Sequence, residues 1–83
     1  MTTIHIDLPD EISWSLKEAP QELAQEIRMA AAAKLYELGK LSSGRAAQLA
    51  NVSRVAFLQA LGRYGVASFE LSEEELAEDL RNA

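Results

Sequence analysis

Residues 41–64 read LSSGRAAQLANVSRVAFLQALGRY and carry the signals of two short helices joined by a tight turn. Ser53 can cap the second helix, which is predicted over residues 54–64. Asn51 lies between the helices, and asparagine is, after glycine, the residue that best tolerates the left-handed conformation of such a turn. The segment therefore predicts a helix-turn-helix.

The first of these helices has small side chains where it must cross the second. Its apolar positions include Ala46, Ala47 and Ala50, which allow two helix backbones to approach closely. Two short helices in this arrangement can place the second one in the major groove of DNA. An ordinary helical hairpin, whose outer face happens to be basic, is the alternative that the spacing leaves open.

The residues of the second helix divide into an apolar face and a polar face. The apolar face, at helical spacing, comprises Phe57, Leu61 and Tyr64. The opposite face, at successive steps of four residues, comprises Val55, Gln59 and Arg63. Arginine pairs with guanine and glutamine with adenine, so Arg54 at the helix start and Gln59 are predicted to contact base edges. Arg63, on the same outer face, is predicted to contact DNA as well. Val55 is predicted to touch a thymine methyl group.

The N-terminal end of the first helix is predicted to contact phosphates. Either Ser42 or Ser43 can cap this helix, and the free N–H groups at a helix N-terminus attract anions. Basic side chains flank the same point in the sequence. The predicted phosphate contacts are Lys40, Ser42, Ser43 and Arg45.

The formal net charge of −5 hides a partition of charge along the chain. Residues 1–37 contain seven acids and three bases, and residues 70–83 contain six acids and one base. Residues 38–69 contain four bases and no acid. Because DNA responds to the local surface and not to the average, the basic middle of the chain supports double-stranded DNA as a partner.

Residues 2–8 alternate apolar and polar side chains, with Ile4, Ile6 and Leu8 on one side, and so predict a strand. A lone strand needs a partner, and its own copy in a homodimer is the simplest one. Strand, helix, helix is also the order of a ribbon-helix-helix. Because Asp7 faces outward and no base is nearby, we expect the strand to dimerise or pair internally and not to contact DNA.

Two helices are predicted between this strand and the basic segment. The first covers residues 10–18, and the second covers residues 20–38, opening with proline in its favoured first turn. The second helix is apolar on two sides, so we expect it to be central. Trp14, Met29 and Tyr36 are expected in the core.

The C-terminal residues predict an acidic helix. Ser72 and Glu75 have the spacing of a capping box, and only Leu76, Ala77 and Leu80 offer an apolar stripe. Such a helix either docks on its own domain or folds on a partner. The sequence thus predicts a mostly α protein, with a strand and helix-turn-helix domain over residues 1–69 and an acidic tail helix over residues 70–83.

Enzymatic and metal chemistry have little support in the sequence. The chain has no cysteine and a single histidine, His5, which excludes disulfides and argues against a zinc site. It has no glycine-rich phosphate loop. We therefore expect no enzyme activity, no cofactor and no metal. The chain shows no signal peptide and no apolar run of membrane-spanning length, so we expect a cytoplasmic protein without membrane association.

A family resemblance rests on four segments of the chain. They are GKLSSGRAAQLANVSR at residues 39–54, LGRYGV at 61–66, LPDE at 8–11 and EEEL at 73–76. With them the chain resembles a family of small prokaryotic proteins, long named as uncharacterised and now regarded as VapB-like helix-turn-helix antitoxins. The family usually has glycine at the position of Asn51.

The resemblance implies a type II antitoxin that regulates its own operon and neutralises a PIN-domain ribonuclease toxin. Such a protein would bind operator DNA with one end and the toxin with the other. The residues of the tail that suit the toxin contact are Leu76, Leu80 and Arg81. A stand-alone transcription regulator, or a protein-interaction module that does not bind DNA, are the alternatives.

Overall fold

The computed structural model describes residues 2–67 of the 83-residue chain. The helices in this part are α1 (Asp10–Leu16), α2 (Pro20–Glu37), α3 (Ser43–Ala50) and α4 (Arg54–Ala60), followed directly by a 3₁₀ helix (Leu61–Tyr64). The helical bundle of the predicted fold is present. The acidic helix predicted over residues 70–83, and the boundary predicted at residue 69, lie outside the described residues.

The strand predicted over residues 2–8 is wrong. Residues 2–9 form no regular structure, and residues 2–67 contain no strand or sheet. Ile4 and Ile6 are 78% and 68% exposed. Alternation of apolar and polar side chains gives a strand only where a second strand supplies hydrogen-bond partners, and the described chain offers none. The described part of the protein is therefore all-α.

The short helix α1 lies on the outside of the fold. It ends at Lys17, whose φ of 55° is left-handed, and it buries none of its residues. Trp14 is 69% exposed, so the prediction that it lies in the core is wrong. A helix of seven residues can place only one narrow row of side chains against a neighbouring helix. Here α1 makes only a small contact with α2.

Helix α2 is the central element, as predicted. Proline occupies its first turn, and the chain leaves the helix at Gly39, whose φ of 76° glycine adopts without strain. Met29 and Tyr36 are buried as predicted. The helix packs against α1, α3 and the 3₁₀ helix, so it fixes the position of the helix-turn-helix.

The core depends on small side chains and one aromatic pair. Ala32 of α2 and Ala46 and Ala50 of α3 are fully buried, which brings the two helices close together. Phe57 of α4 is also fully buried, and its ring meets that of Tyr36 edge to face, with centroids 5.7 Å apart and planes at 88°. Such pairs add about 0.5–1.5 kcal/mol to the burial of the rings.

The turn between α3 and α4 has the predicted chemistry. Asn51 is left-handed, with φ 59° and ψ 42°. The Ser53 hydroxyl accepts a hydrogen bond from the Ala56 N–H at 3.1 Å, so Ser53 caps α4. A contact that the sequence did not suggest supports this turn from α2: the Gln25 side-chain amide donates to the Ala50 carbonyl oxygen at 2.7 Å. The turn is thus held at both ends.

Candidate nucleic-acid interface

The first residues of α3 and α4 are joined by a side-chain hydrogen bond. Arg54 Nε donates to the Ser43 hydroxyl oxygen at 2.7 Å, and Arg54 is half-buried there. A hydrogen bond from a charged donor is among the stronger ones in proteins. The bond therefore fixes the guanidinium of Arg54, the candidate base-contacting residue at the start of α4, relative to α3.

The two serines at the start of α3 have different roles. Ser42 is the cap, because its hydroxyl oxygen accepts the Arg45 N–H at 3.2 Å. Ser43 is only 3% exposed, so its hydroxyl faces Arg54 and not a phosphate. Sequence reasoning left the cap open between them, since either serine has the right chemistry for it. Only the packing of α4 against α3 distinguishes the two.

The remaining predicted phosphate contacts are at the surface. Lys40, Ser42 and Arg45 are exposed around the N-terminal end of α3. Arg45 Nη1 donates to the Gln48 side-chain oxygen at 3.0 Å, which holds the guanidinium along the exposed side of the helix. These side chains can meet the backbone of a duplex without rearrangement of the core.

The predicted outer face of α4 is partly preserved. Gln59 is exposed and Val55 is half-buried, so both reach the surface. Their spacing of four residues places them about one helical turn apart along α4. This side of the helix can present an amide and a methyl group to the edges of bases.

Arg63 is exposed but lies in a different environment from Gln59. The α-helix ends at Ala60 and the chain continues as a 3₁₀ helix, in which residues three apart lie above one another. Arg63 therefore shares the side of Ala60. It lines a groove of 660 Å³ between α2 and α4, together with Ala56 and Tyr64.

The same groove is lined by glutamates, and we call it the acidic groove. Its carboxylates come from the α2 side and are Glu18, Glu22 and Glu26. The Tyr64 hydroxyl donates to Glu26 Oε1 at 3.4 Å. Burial, and then the negative charge of Glu26, raise the pKa of the Tyr64 hydroxyl, so Tyr64 stays a neutral donor. The sequence did not suggest that these glutamates meet the end of α4 and the 3₁₀ helix that follows it.

Partner and metal contacts can be placed only in part. Leu76, Leu80 and Arg81, the candidate toxin-binding residues, lie outside the described residues. Within residues 2–67, the acidic and histidine side chains form no group of three that could hold a metal ion. The helices described between residues 2 and 67 include none with the length and apolar character needed to cross a bilayer.

The arrangement defines a small domain, all-helical over residues 2–67, in which α3, its turn and α4 form a helix-turn-helix on a central helix. The chain belongs to the family described as Uncharacterised protein family (UPF0175), whose model matches residues 1–83.

Two relatives from Aeropyrum pernix, each described as a UPF0175 protein, are similar to the chain. One is 41% identical over 73 residues, which are 88% of this chain and 81% of the relative. The other is 37% identical over 59 residues, which are 71% of this chain and 75% of the relative. No solved structure matches the chain.

Proposed function

We propose that the chain is a DNA-binding antitoxin of a type II toxin–antitoxin system, which regulates its own operon through α3 and α4. The observation that supports DNA binding most is the bond between Arg54 and Ser43. It holds a basic side chain at the start of α4, within residues 38–69 that contain four bases and no acid. A recognition helix meets base edges with its N-terminal residues.

In this proposal α4 enters the major groove and α3 lies against the backbone. Arg54 and Gln59 pair with base edges, and Val55 packs on a thymine methyl group. Phosphates are bound at the start of α3 by exposed side chains. Those side chains are Lys40, Ser42 and Arg45.

Binding to the operator is tested with the full chain and duplexes from the region upstream of its gene. Fluorescence anisotropy is measured over a range of salt concentrations. We expect the logarithm of the affinity to fall linearly with the logarithm of salt, and Arg45→Ala to reduce the slope by about 0.9, the value of one phosphate contact. The wild-type chain should prefer the upstream duplex over a scrambled one.

Arg28 provides the matched control for this experiment. It is an exposed arginine of α2 that lines a different groove, beside Leu23 and Ile27. Arg28→Ala makes the same change of net charge and should leave the slope as in the wild type. Absence of salt-dependent binding by the wild-type chain would contradict DNA binding and favour the protein-interaction module.

We also propose a homodimer, since helix-turn-helix proteins commonly bind two half-sites one helical turn apart. The support is apolar surface near the N-terminus, where Ile4, Ile6 and Trp14 are more than two-thirds exposed. Sedimentation should give twice the monomer mass, and the double variant Ile6→Ser, Trp14→Ser should sediment as a monomer. A wild-type chain that stays monomeric at high concentration excludes the dimer.

The toxin half of the proposal rests on the family resemblance and on the charge of the tail. Residues 70–83 contain six acids and one base, which suits the basic RNA-binding groove of a ribonuclease. A chain ending at residue 70 should keep DNA binding but no longer co-purify with a PIN-domain protein encoded next to its gene. Without such a neighbouring gene, the stand-alone regulator replaces the antitoxin.

A further inference from the structure

Two sides of α4 differ in charge. Toward α3 and the loop before it, the chain carries the basic side chains Lys40, Arg45 and Arg54, with no acid between residues 38 and 59. The acid just before that loop, Glu37, forms an ion pair with Lys34 at 2.7 Å. Toward α2 is the acidic groove, with Glu18, Glu22 and Glu26. Any duplex that approaches α4 must therefore meet either cations on one side or carboxylates on the other.

No ion pair with another residue of the described part of the chain neutralises the carboxylates of the acidic groove. Among residues 2–67 the ion pair that forms is Lys34–Glu37, on another part of α2. Glu26 accepts its hydrogen bond from the neutral hydroxyl of Tyr64. One carboxylate oxygen of Glu18 is buried without a hydrogen-bond partner. Over residues 2–67 the groove therefore keeps a negative charge, which Arg63 on its wall only partly offsets.

We infer that the acidic groove is the boundary of the DNA interface, and that Arg63 offsets its charge and does not contact DNA. The inference rests on the proposed DNA binding and specifies how the duplex lies on the protein. Charges at a surface act over about 10 Å at 0.1 M salt. Phosphates are therefore repelled from the α2 side of α4, and the duplex lies on the side of α3.

This placement limits the orientations in which α4 can bind. A basic surface on both sides of a recognition helix would bind any duplex in several orientations. Like charges facing each other across an interface suppress such wrong arrangements. The boundary thus lowers non-specific affinity and leaves discrimination to Arg54 and Gln59.

A double-mutant cycle tests the role of Arg63. Arg63→Ala and Arg45→Ala are each made in the wild-type chain and in the variant Glu22→Gln, Glu26→Gln, and affinity for the upstream duplex is measured. We expect Arg63→Ala to weaken binding in the wild-type background, and to weaken it by a clearly smaller factor once Glu22 and Glu26 are neutral and Glu18 is the remaining acid of the groove. Arg45→Ala should lower the affinity for the upstream duplex by the same factor in both backgrounds.

The glutamate variant alone tests the boundary. It should bind a scrambled duplex about threefold more tightly, the size expected for removing weak surface repulsion. The ratio of its affinity for the upstream duplex to its affinity for the scrambled duplex should become smaller. The double variant Asp10→Asn, Glu11→Gln makes the same change of net charge at two exposed acids of α1 outside the acidic groove. It is the control and should change neither quantity. Thermal melting of each variant confirms that the fold is kept.

The outcomes separate this inference from the function on which it rests. If Arg63→Ala lowers the affinity by the same factor in the glutamine background as in the wild type, Arg63 contacts DNA. The inference is then wrong, while the proposed DNA binding stands. Unchanged affinity of the glutamate variant also overturns it. If the wild-type chain binds no DNA, both the proposed function and the inference are lost.

Discussion

Phe57→Ala is expected to remove a large part of the stability of the domain. The ring is fully buried between α2 and α4, where it meets Tyr36 edge to face. Truncating a buried phenylalanine to alanine costs about 3–5 kcal/mol, because apolar burial is lost and a cavity remains. A domain of this size has a free energy of unfolding of only about 4–12 kcal/mol. The variant is therefore close to the limit at which it still folds.

Urea unfolding followed by circular dichroism measures this effect through the shift of the transition midpoint. Leu38→Ala is the control, because Leu38 is an equally apolar residue that is 56% exposed just after α2. Surface substitutions of this kind change stability by about 0.5 kcal/mol or less. If Phe57→Ala cost no more than Leu38→Ala, the core described here would be incorrect.

The helix-turn-helix was predictable because its signals are local. Caps and turns depend on residues within three or four positions of one another, so Ser53 and Asn51 can be assigned without knowledge of the fold. The buried alanines of α3 follow from helical spacing alone. In this segment the sequence pattern, the hydrogen bonds and the packing all agree.

The N-terminal prediction failed because its outcome depends on partners that the pattern does not identify. Alternating residues such as Ile4 and Ile6 form a strand only beside another strand, and residues 2–67 have none. Trp14 is likewise predicted to lie in the core. Its position on the short outer helix α1 leaves it exposed. The apolar character of a side chain predicts that it tends to be buried, but it does not predict which surface buries it.

The candidate site was predictable in its composition but not in its geometry. The bond from Arg54 to Ser43 joins residues eleven positions apart, and it depends on how α4 crosses α3. The environment of Arg63 depends on one change of helical pitch after Ala60. A helical projection of the sequence shows neither how two helices cross nor where the helical pitch changes.

Under the proposed DNA binding, Arg54 is the residue whose replacement should weaken discrimination between duplexes most. A bidentate contact between arginine and guanine contributes about 1–3 kcal/mol of discrimination, a factor of about 5 to 150 in affinity. Arg54→Ala removes this contact and also the donor to Ser43, which is 3% exposed. A buried hydroxyl left without its partner costs about 1–3 kcal/mol of folding stability.

Arg54→Lys separates the shape of the side chain from its charge. Lysine keeps the positive charge, so the dependence of binding on salt should stay close to that of the wild type. It lacks the planar guanidinium and cannot both contact Ser43 through Nε and pair with a base through a fork. We therefore expect Arg54→Lys to lose discrimination between the upstream duplex and duplexes with single base changes, nearly as fully as Arg54→Ala. Ser43→Ala, which keeps Arg54 and removes its hydrogen bond to the Ser43 hydroxyl, should give an intermediate loss of discrimination. Anisotropy with the set of duplexes measures all three, and retention of full discrimination by the lysine variant would show that Arg54 acts only through its charge.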